Sequence, residues 1–275
     1  GGALQLPREP ANLGLDMVVI GEAFVVVVVG GMGSISGAFV AALLIALLKA
    51  FCIAMGNIEV FGISFALPKL SLVLEFLVMA FVLILRPWGL LGKPLSLSRN
   101  SNPQERPYRS FRPTSRVIVM VLVLALIFLP QLSTDSPYNL VLAIDLLTAT
   151  LFASSLFLLM GPSGMNSFGH SAFFGCGAYM AALLLTRYHF SMEASLFLSP
   201  LVAAVLAAAV AWFSIRLSGV YLAMLTLAFA QILWSLVFQW DDVTGGSNGL
   251  TGVWPAQWTT LHNGFYYLCL VLVVV

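Results

Sequence analysis

Five ionisable side chains stand inside or beside apolar runs of this 275-residue sequence: Glu22, Lys49, Glu75, Asp145 and His170. Such groups are costly in lipid and persist where they pair with each other, line a wet path or relay a proton. Lys49 and Lys69 stand near the ends of their runs, and their long stems can snorkel toward water. Glu75 and Asp145 lie deeper. Either can pair with Lys49 or with a helix outside this sequence, and spacing alone does not choose. His170 adjoins Ser171 and a glycine-rich stretch, where it either lines a polar surface or makes a structural hydrogen bond. Cys52, Cys176 and Cys269 are far apart in apolar surroundings, without CxxC or His/Cys ligand spacing. They read as small packing residues, and no metal site is expected.

Other catalytic patterns are missing. A phosphate-cradling loop needs GxxxxGK[ST]. The stretch Gly89-Leu90-Leu91-Gly92-Lys93-Pro94 has too short a glycine spacing and a proline in place of the hydroxyl residue. No Ser/His/Asp, Cys/His or HExxH constellation stands out. The sequence is therefore expected to carry no catalytic site and to bind no cofactor. A membrane-embedded enzyme would have to draw on His170, Glu75 and Asp145.

These residues are carried by apolar segments. Apolar types make up 60% of the chain and charged types 8%, with a mean hydropathy of +1.01. A soluble domain carries about a quarter charged residues, so a chain this poor in charge cannot clothe a water-facing surface. Spanning helices need about twenty apolar residues. Apolar segments fall near 17–29, 36–56, 65–85, 117–132, 138–160, 171–186, 196–215, 219–240 and 263–275, most of them near that length. The fold expected is an all-α, polytopic transmembrane helical bundle with discontinuous or re-entrant helices.

Seven of the twelve basic residues lie between Arg86 and Arg116, against a single acid, Glu105. No aromatic or motif context supports nucleic-acid binding there. Short Lys/Arg-rich loops stay cytoplasmic, which puts this loop inside and the polar stretch Asp241–Asn263 outside.

Two stretches interrupt the helical pattern. Met17–Val29 is too short to span and runs into Gly30-Gly31-Met32-Gly33-Ser34-Ile35-Ser36-Gly37. The second runs from Gly161-Pro162-Ser163-Gly164 through Met165, Asn166, Ser167 and Gly169 to His170, with Gly175 and Gly177 following. Such stretches serve as turns or close-packing joints. They also build transport paths, since irregular backbone at membrane depth survives only beside protein or a wet cavity. Two in one chain favour the path.

Longer strings carry a family resemblance. Gly169-His170-Ser171-Ala172-Phe173-Phe174-Gly175-Cys176-Gly177-Ala178-Tyr179 resembles the GHAAFFGIGAY signature of M-type permease subunits in the branched-chain amino acid ABC transporter family. Arg216–Gln231 is similar to that subunit's RLxGxYxAxxTLAF stretch, and Thr244–Gly252 to its TGGxxGLTG loop. Ala23–Ala38 resembles the AFxxxVLGGxGSxxGA string of the partner H-type subunit, and Arg86–Gly92 its RPxGLFG terminus. Met165 and Asn166 depart from the Gln and Leu usual in the M-type pattern, and Lys49 from the Glu frequent in the H-type.

The resemblance implies an H-type C-terminal part over 1–92, a basic cytoplasmic linker over 93–116 and an M-type N-terminal part over 117–275. It further implies a multi-pass permease in the bacterial inner membrane, serving an importer of branched-chain amino acids or related small polar solutes. Family relatives are thought to carry urea, short amides or aromatic compounds. Implied partners are ABC ATPase subunits that bind the ATP, a periplasmic binding protein, a further permease copy or subunit and membrane lipid, with no nucleic acid. Gly30, Gly31, Gly33, Gly161, Gly164, Asn166, Ser167, His170, Gly175 and Gly177 are expected along the substrate path. Thr244, Gly245, Gly246, Asn248 and Gly249 are expected to face the binding protein. The family's cytoplasmic coupling segments are expected to precede Gly1 and follow Val275, so that these 275 residues alone should not stimulate the ATPase. An ion-coupled carrier is the competing class.

Overall fold

The computed structural model describes residues 15–60, 63–93, 113–132, 137–214, 217, 219–253, 256–260 and 263–274. The expectations for Arg99, Arg106, Arg109 and Arg112, like those for residues 1–14, lie outside this set. The described chain is mainly α-helical, with one short hairpin and a 3-10 turn at Gly246–Asn248. Its helices are α1 (Leu15–Gly30), α2 (Ile35–Met55), α3 (Leu67–Leu85), α4 (Pro113–Leu132), α5 (Pro137–Met160), α6 (His170–Thr186), α7 (Met192–Ser214), α8 (Val220–Gln239), α9 (Asp241–Thr244), α10 (Gln257–Thr260) and α11 (Gly264–Val274). Among the described residues, four stretches are long and apolar enough to cross a membrane: Ile35–Met55, Tyr138–Met160, Met192–Ser214 and Val220–Gln239.

The expected apolar segments and the observed helices agree closely, and their ends have local causes. Ser34 caps α2, its hydroxyl accepting from the Gly37 N–H at 3.1 Å, and so satisfies one of the free donors of the first turn. Gly56 ends α2 with φ +61°, in the left-handed region open to glycine. Helix α7 starts four residues before the expected segment because Ser191 accepts the Ala194 N–H at 3.3 Å. Between α2 and α3 the strands β1 (Asn57–Val60) and β2 (Ile63–Ala66) pair antiparallel, with Asn57 opposite Ala66 and Val60 opposite Ile63. An all-helical expectation did not include this hairpin; Ile58, Val60 and Ile63 are β-branched residues that suit strands.

The chain divides into two compact units. The first comprises the described residues of 1–95, 165–176 and 202–249. Its core interleaves Val25, Val28 and Val29 of α1, Ala41 and Ile45 of α2, Met79, Ala80 and Leu83 of α3, and Met224, Leu225 and Ala228 of α8. Alanines on three of these helices let backbones approach closely, the way helices associate where lipid gives no hydrophobic drive.

The second unit comprises the described residues of 96–164, 177–201 and 250–275. Ala143 and Leu147 of α5 pack on Tyr266 and Leu270 of α11. Pro130 lies inside α4 and has no N–H for the Leu126 carbonyl four residues back. The Tyr266 hydroxyl donates to that carbonyl at 2.6 Å, so a proline on one helix and a tyrosine on another are matched. Tyr266→Phe should therefore cost about 1–3 kcal/mol, the loss expected for an orphaned buried acceptor. The same change in a Pro130→Ala background should cost clearly less. Thermal unfolding of the four proteins of this cycle in detergent measures the coupling, and an equal loss in both backgrounds would refute the pairing.

Candidate functional site

In the first unit α1, α2 and α3 each contribute one ionisable side chain to a cluster. Lys49 Nζ lies 2.8 Å from Glu22 Oε1 and 2.8 Å from Glu75 Oε2. The Glu75 side chain is 9% exposed, Lys49 25% and Glu22 43%. Two carboxylates against one ammonium leave one negative charge in excess. Lys49 thus turns inward to a pair of carboxylates instead of snorkelling to the boundary, and of the two deep acids it is Glu75 that pairs with it.

The first glycine-rich stretch folds as a tight joint between α1 and α2. Ser34 N–H donates to the Gly31 carbonyl at 3.0 Å, and Gly31 and Gly33 have φ of +104° and +84°. Gly30 and Gly37 pack backbone on backbone, and a Cβ on either would overlap the other's main chain. The Arg86–Gly92 string closes over this joint. Leu90 N–H donates to the Val29 carbonyl at 2.8 Å and Leu91 N–H to the Gly30 carbonyl at 3.1 Å. A Cβ on Gly89 would lie 2.6 Å from the Gly31 Cα. The two strings read as H-type are therefore one structural element: glycines bring them together, and the carbonyls at the end of α1 find donors there. Gly30, Gly31 and Gly37 are buried and Gly33 is exposed.

The second stretch leaves α5 through a turn at Gly161–Ser163 and reaches α6 through irregular backbone with a bend at Phe168. The division between units passes through it. Gly161, Gly164 and Gly177 belong to the second unit, and Asn166, Ser167, His170 and Gly175 to the first. Within the first unit, Phe168 N–H donates to Thr226 Oγ1 at 3.1 Å, while that hydroxyl donates to the Ala223 carbonyl at 2.8 Å. Gly169 lies directly on the Thr226 carbonyl, where a Cβ would overlap it. Ser167 and Gly169 are buried, His170 is half-buried and Asn166 is exposed. Thr226, which the sequence reading did not single out as a site residue, holds the break against α8. Its signal is its place inside the Arg216–Gln231 string.

Beyond α8, Thr244 anchors a glycine loop. Its hydroxyl lies 2.5 Å from the Val237 carbonyl and 2.8 Å from that of Trp240. Gly245, Gly246 and Gly249 have φ of +74°, +53° and +67°. A Cβ on Gly245 would overlap the Gly249 carbonyl and one on Gly246 the Asp241 carboxylate. Ser247 and Asn248 are left exposed at the tip of a fixed loop.

Long apolar helices joined by close-packed glycine stretches define a multi-pass helical membrane protein. No group of three or more metal-ligating side chains occurs among the described residues. Residues 139–274 match the family described as branched-chain amino acid transport system / permease component. The high-affinity branched-chain amino acid transport system permease protein LivM of Salmonella typhimurium is 32% identical over 115 residues, 40% of this chain and 27% of that protein. The protein of the same name from Escherichia coli is 32% identical over 114 residues, with the same shares. The chain thus spans about a quarter of the length of the curated relatives it matches. No solved structure matches it.

Proposed function

We propose that this chain is the membrane-embedded permease part of a binding-protein-dependent ABC importer in the bacterial inner membrane. Its solutes are branched-chain amino acids or related small polar solutes, urea and short amides included. The observation that carries the reading is the family match over residues 139–274, with its glycine signature seated on Thr226. Residues 1–92 act as an H-type part, 93–116 as a basic cytoplasmic linker and 117–275 as an M-type part. The chain has no catalytic centre and holds no cofactor; ATP is bound by separate ATPase subunits docking from the cytoplasm. The exposed tip of the 244–249 loop meets the periplasmic binding protein, and a second permease copy or subunit completes the path.

Chemically, transport here needs no covalent step. It needs helices that shift as rigid bodies about fixed joints. The joints at Gly30–Gly37 and Gly161–Gly177 suit that role because close backbone packing resists gradual deformation and favours discrete arrangements. Their polar and glycine positions, Asn166, Ser167 and His170 among them, border the solute path in this reading. The test is uptake in cells that lack their own branched-chain amino acid import, expressing the complete transporter that contains this chain. Leucine uptake should require the ATPase and survive an uncoupler. Uptake that persists without the ATPase and collapses with the uncoupler would instead make the protein an ion-coupled carrier.

A further inference from the structure

One intramembrane charge is left over by the contacts described above. Asp145 is the ninth residue of the 24-residue helix α5. At 1.5 Å rise per residue, its Cα stands about 5 Å from the middle of a helix about 36 Å long, well inside a hydrocarbon core of about 30 Å. The core-facing side of α5 carries Ala143 and Leu147. Asp145 projects from the opposite side and is exposed. It makes no hydrogen bond or ion pair among the described residues.

A lone carboxylate at this depth is too costly to face lipid tails, and it lies too deep for a lipid headgroup. A cationic occupant would offset that cost. Beside it on the same face, Thr148 donates its hydroxyl proton to the Ile144 carbonyl at 2.9 Å, so its oxygen remains free to accept a second bond. Ala149, four residues on, adds little bulk. A carboxylate and a hydroxyl acceptor with a small residue beside them suit a primary ammonium group, which has three donors and no acceptor.

We propose that Asp145, with Thr148, binds the ammonium group of the transported amino acid near the middle of the membrane. This assignment rests on the permease reading and adds to it a residue that selects amino acids over uncharged solutes. A charge-assisted hydrogen bond contributes about 1.5–3 kcal/mol. Asp145→Asn in the complete transporter, reconstituted in vesicles with ATPase and binding protein, should thus lower leucine uptake at subsaturating concentration about 30-fold. Asp145→Glu should keep a substantial part of it. The desamino analogue 4-methylpentanoate should gain nothing from the aspartate. In the unmutated transporter, leucine should protect Asp145 from dicyclohexylcarbodiimide, read by peptide mass, and 4-methylpentanoate should not.

Equal leucine uptake by Asp145→Asn, or carbodiimide labelling indifferent to leucine, would overturn the assignment while leaving the permease reading intact. Loss of subunit co-purification in Asp145→Asn, with labelling again indifferent to leucine, would show that the carboxylate pairs with a basic residue of a partner helix. That too overturns the proposal. Failure of the unmutated transporter to move any amino acid would overturn both.

Discussion

Lys49→Met should destabilise the protein by about 3 kcal/mol, the low end for breaking a buried ion pair. That corresponds to a fall of roughly 10 °C in the unfolding midpoint of a chain this size. The reason is what remains. Without the ammonium, the Glu22 and Glu75 carboxylates face each other between three apolar helices, 43% and 9% exposed. Like charges in a medium of low polarity repel strongly, and the buried Glu75 cannot turn away without unpacking its helix. The low end applies because Glu22 is partly exposed. Replacing the cluster as a whole should cost much less: Glu22→Leu, Lys49→Met and Glu75→Leu together remove both the attraction and the desolvation it offsets. Thermal unfolding of the detergent-solubilised protein decides it. A single variant as stable as its parent, or a triple variant no better than the single one, would show that the cluster holds nothing together.

The second large effect is expected at Gly169. Its missing side chain lets the segment before α6 rest on the Thr226 carbonyl, and the obstacle to any Cβ is backbone, not a mobile side chain. Gly169→Val must displace either the break or α8, so transport by the complete protein should be lost. Stability should fall by about 3 kcal/mol, as for overpacking that strains main chain. Thr226→Val removes the acceptor of the Phe168 N–H without adding bulk, and about 1 kcal/mol is expected. Gly175→Ala is the control for stability alone. Nothing lies within 4 Å of a Cβ there, so a residue inside α6 should gain about 0.5–1 kcal/mol from lower chain entropy in the unfolded state. Uptake and unfolding midpoints measured together check the series. Unimpaired transport by Gly169→Val would sever the joint from function.

The spans were legible because bulk apolarity and length suffice to mark them, as the near coincidence of 36–56 with Ile35–Met55 shows. The start of α7 at Met192 was not, because a serine cap, not hydropathy, sets it. The glycine stretches announced themselves by composition, yet whether they were turns, joints or path depended on what lay against them. Gly30 lies on Gly37 and under Leu91, and Gly169 lies on Thr226. The latter partner comes from the Arg216–Gln231 string, 57 residues downstream. Lys49 illustrates the same point. Its two carboxylates lie 27 residues before it and 26 after it, and only the packing of three helices reveals that it serves both. Sequence left Glu75 and Asp145 equivalent; packing separated them into a paired charge and one unpaired among the described residues.

ATP-driven, binding-protein-dependent accumulation of leucine by purified transporter in sealed vesicles tests the account most directly. The expected result is uptake against a gradient that requires ATP, the ATPase subunits and the binding protein together. It should be lost in Gly169→Val and strongly reduced at low leucine in Asp145→Asn. Accumulation that proceeds without ATP or without the binding protein would contradict the account.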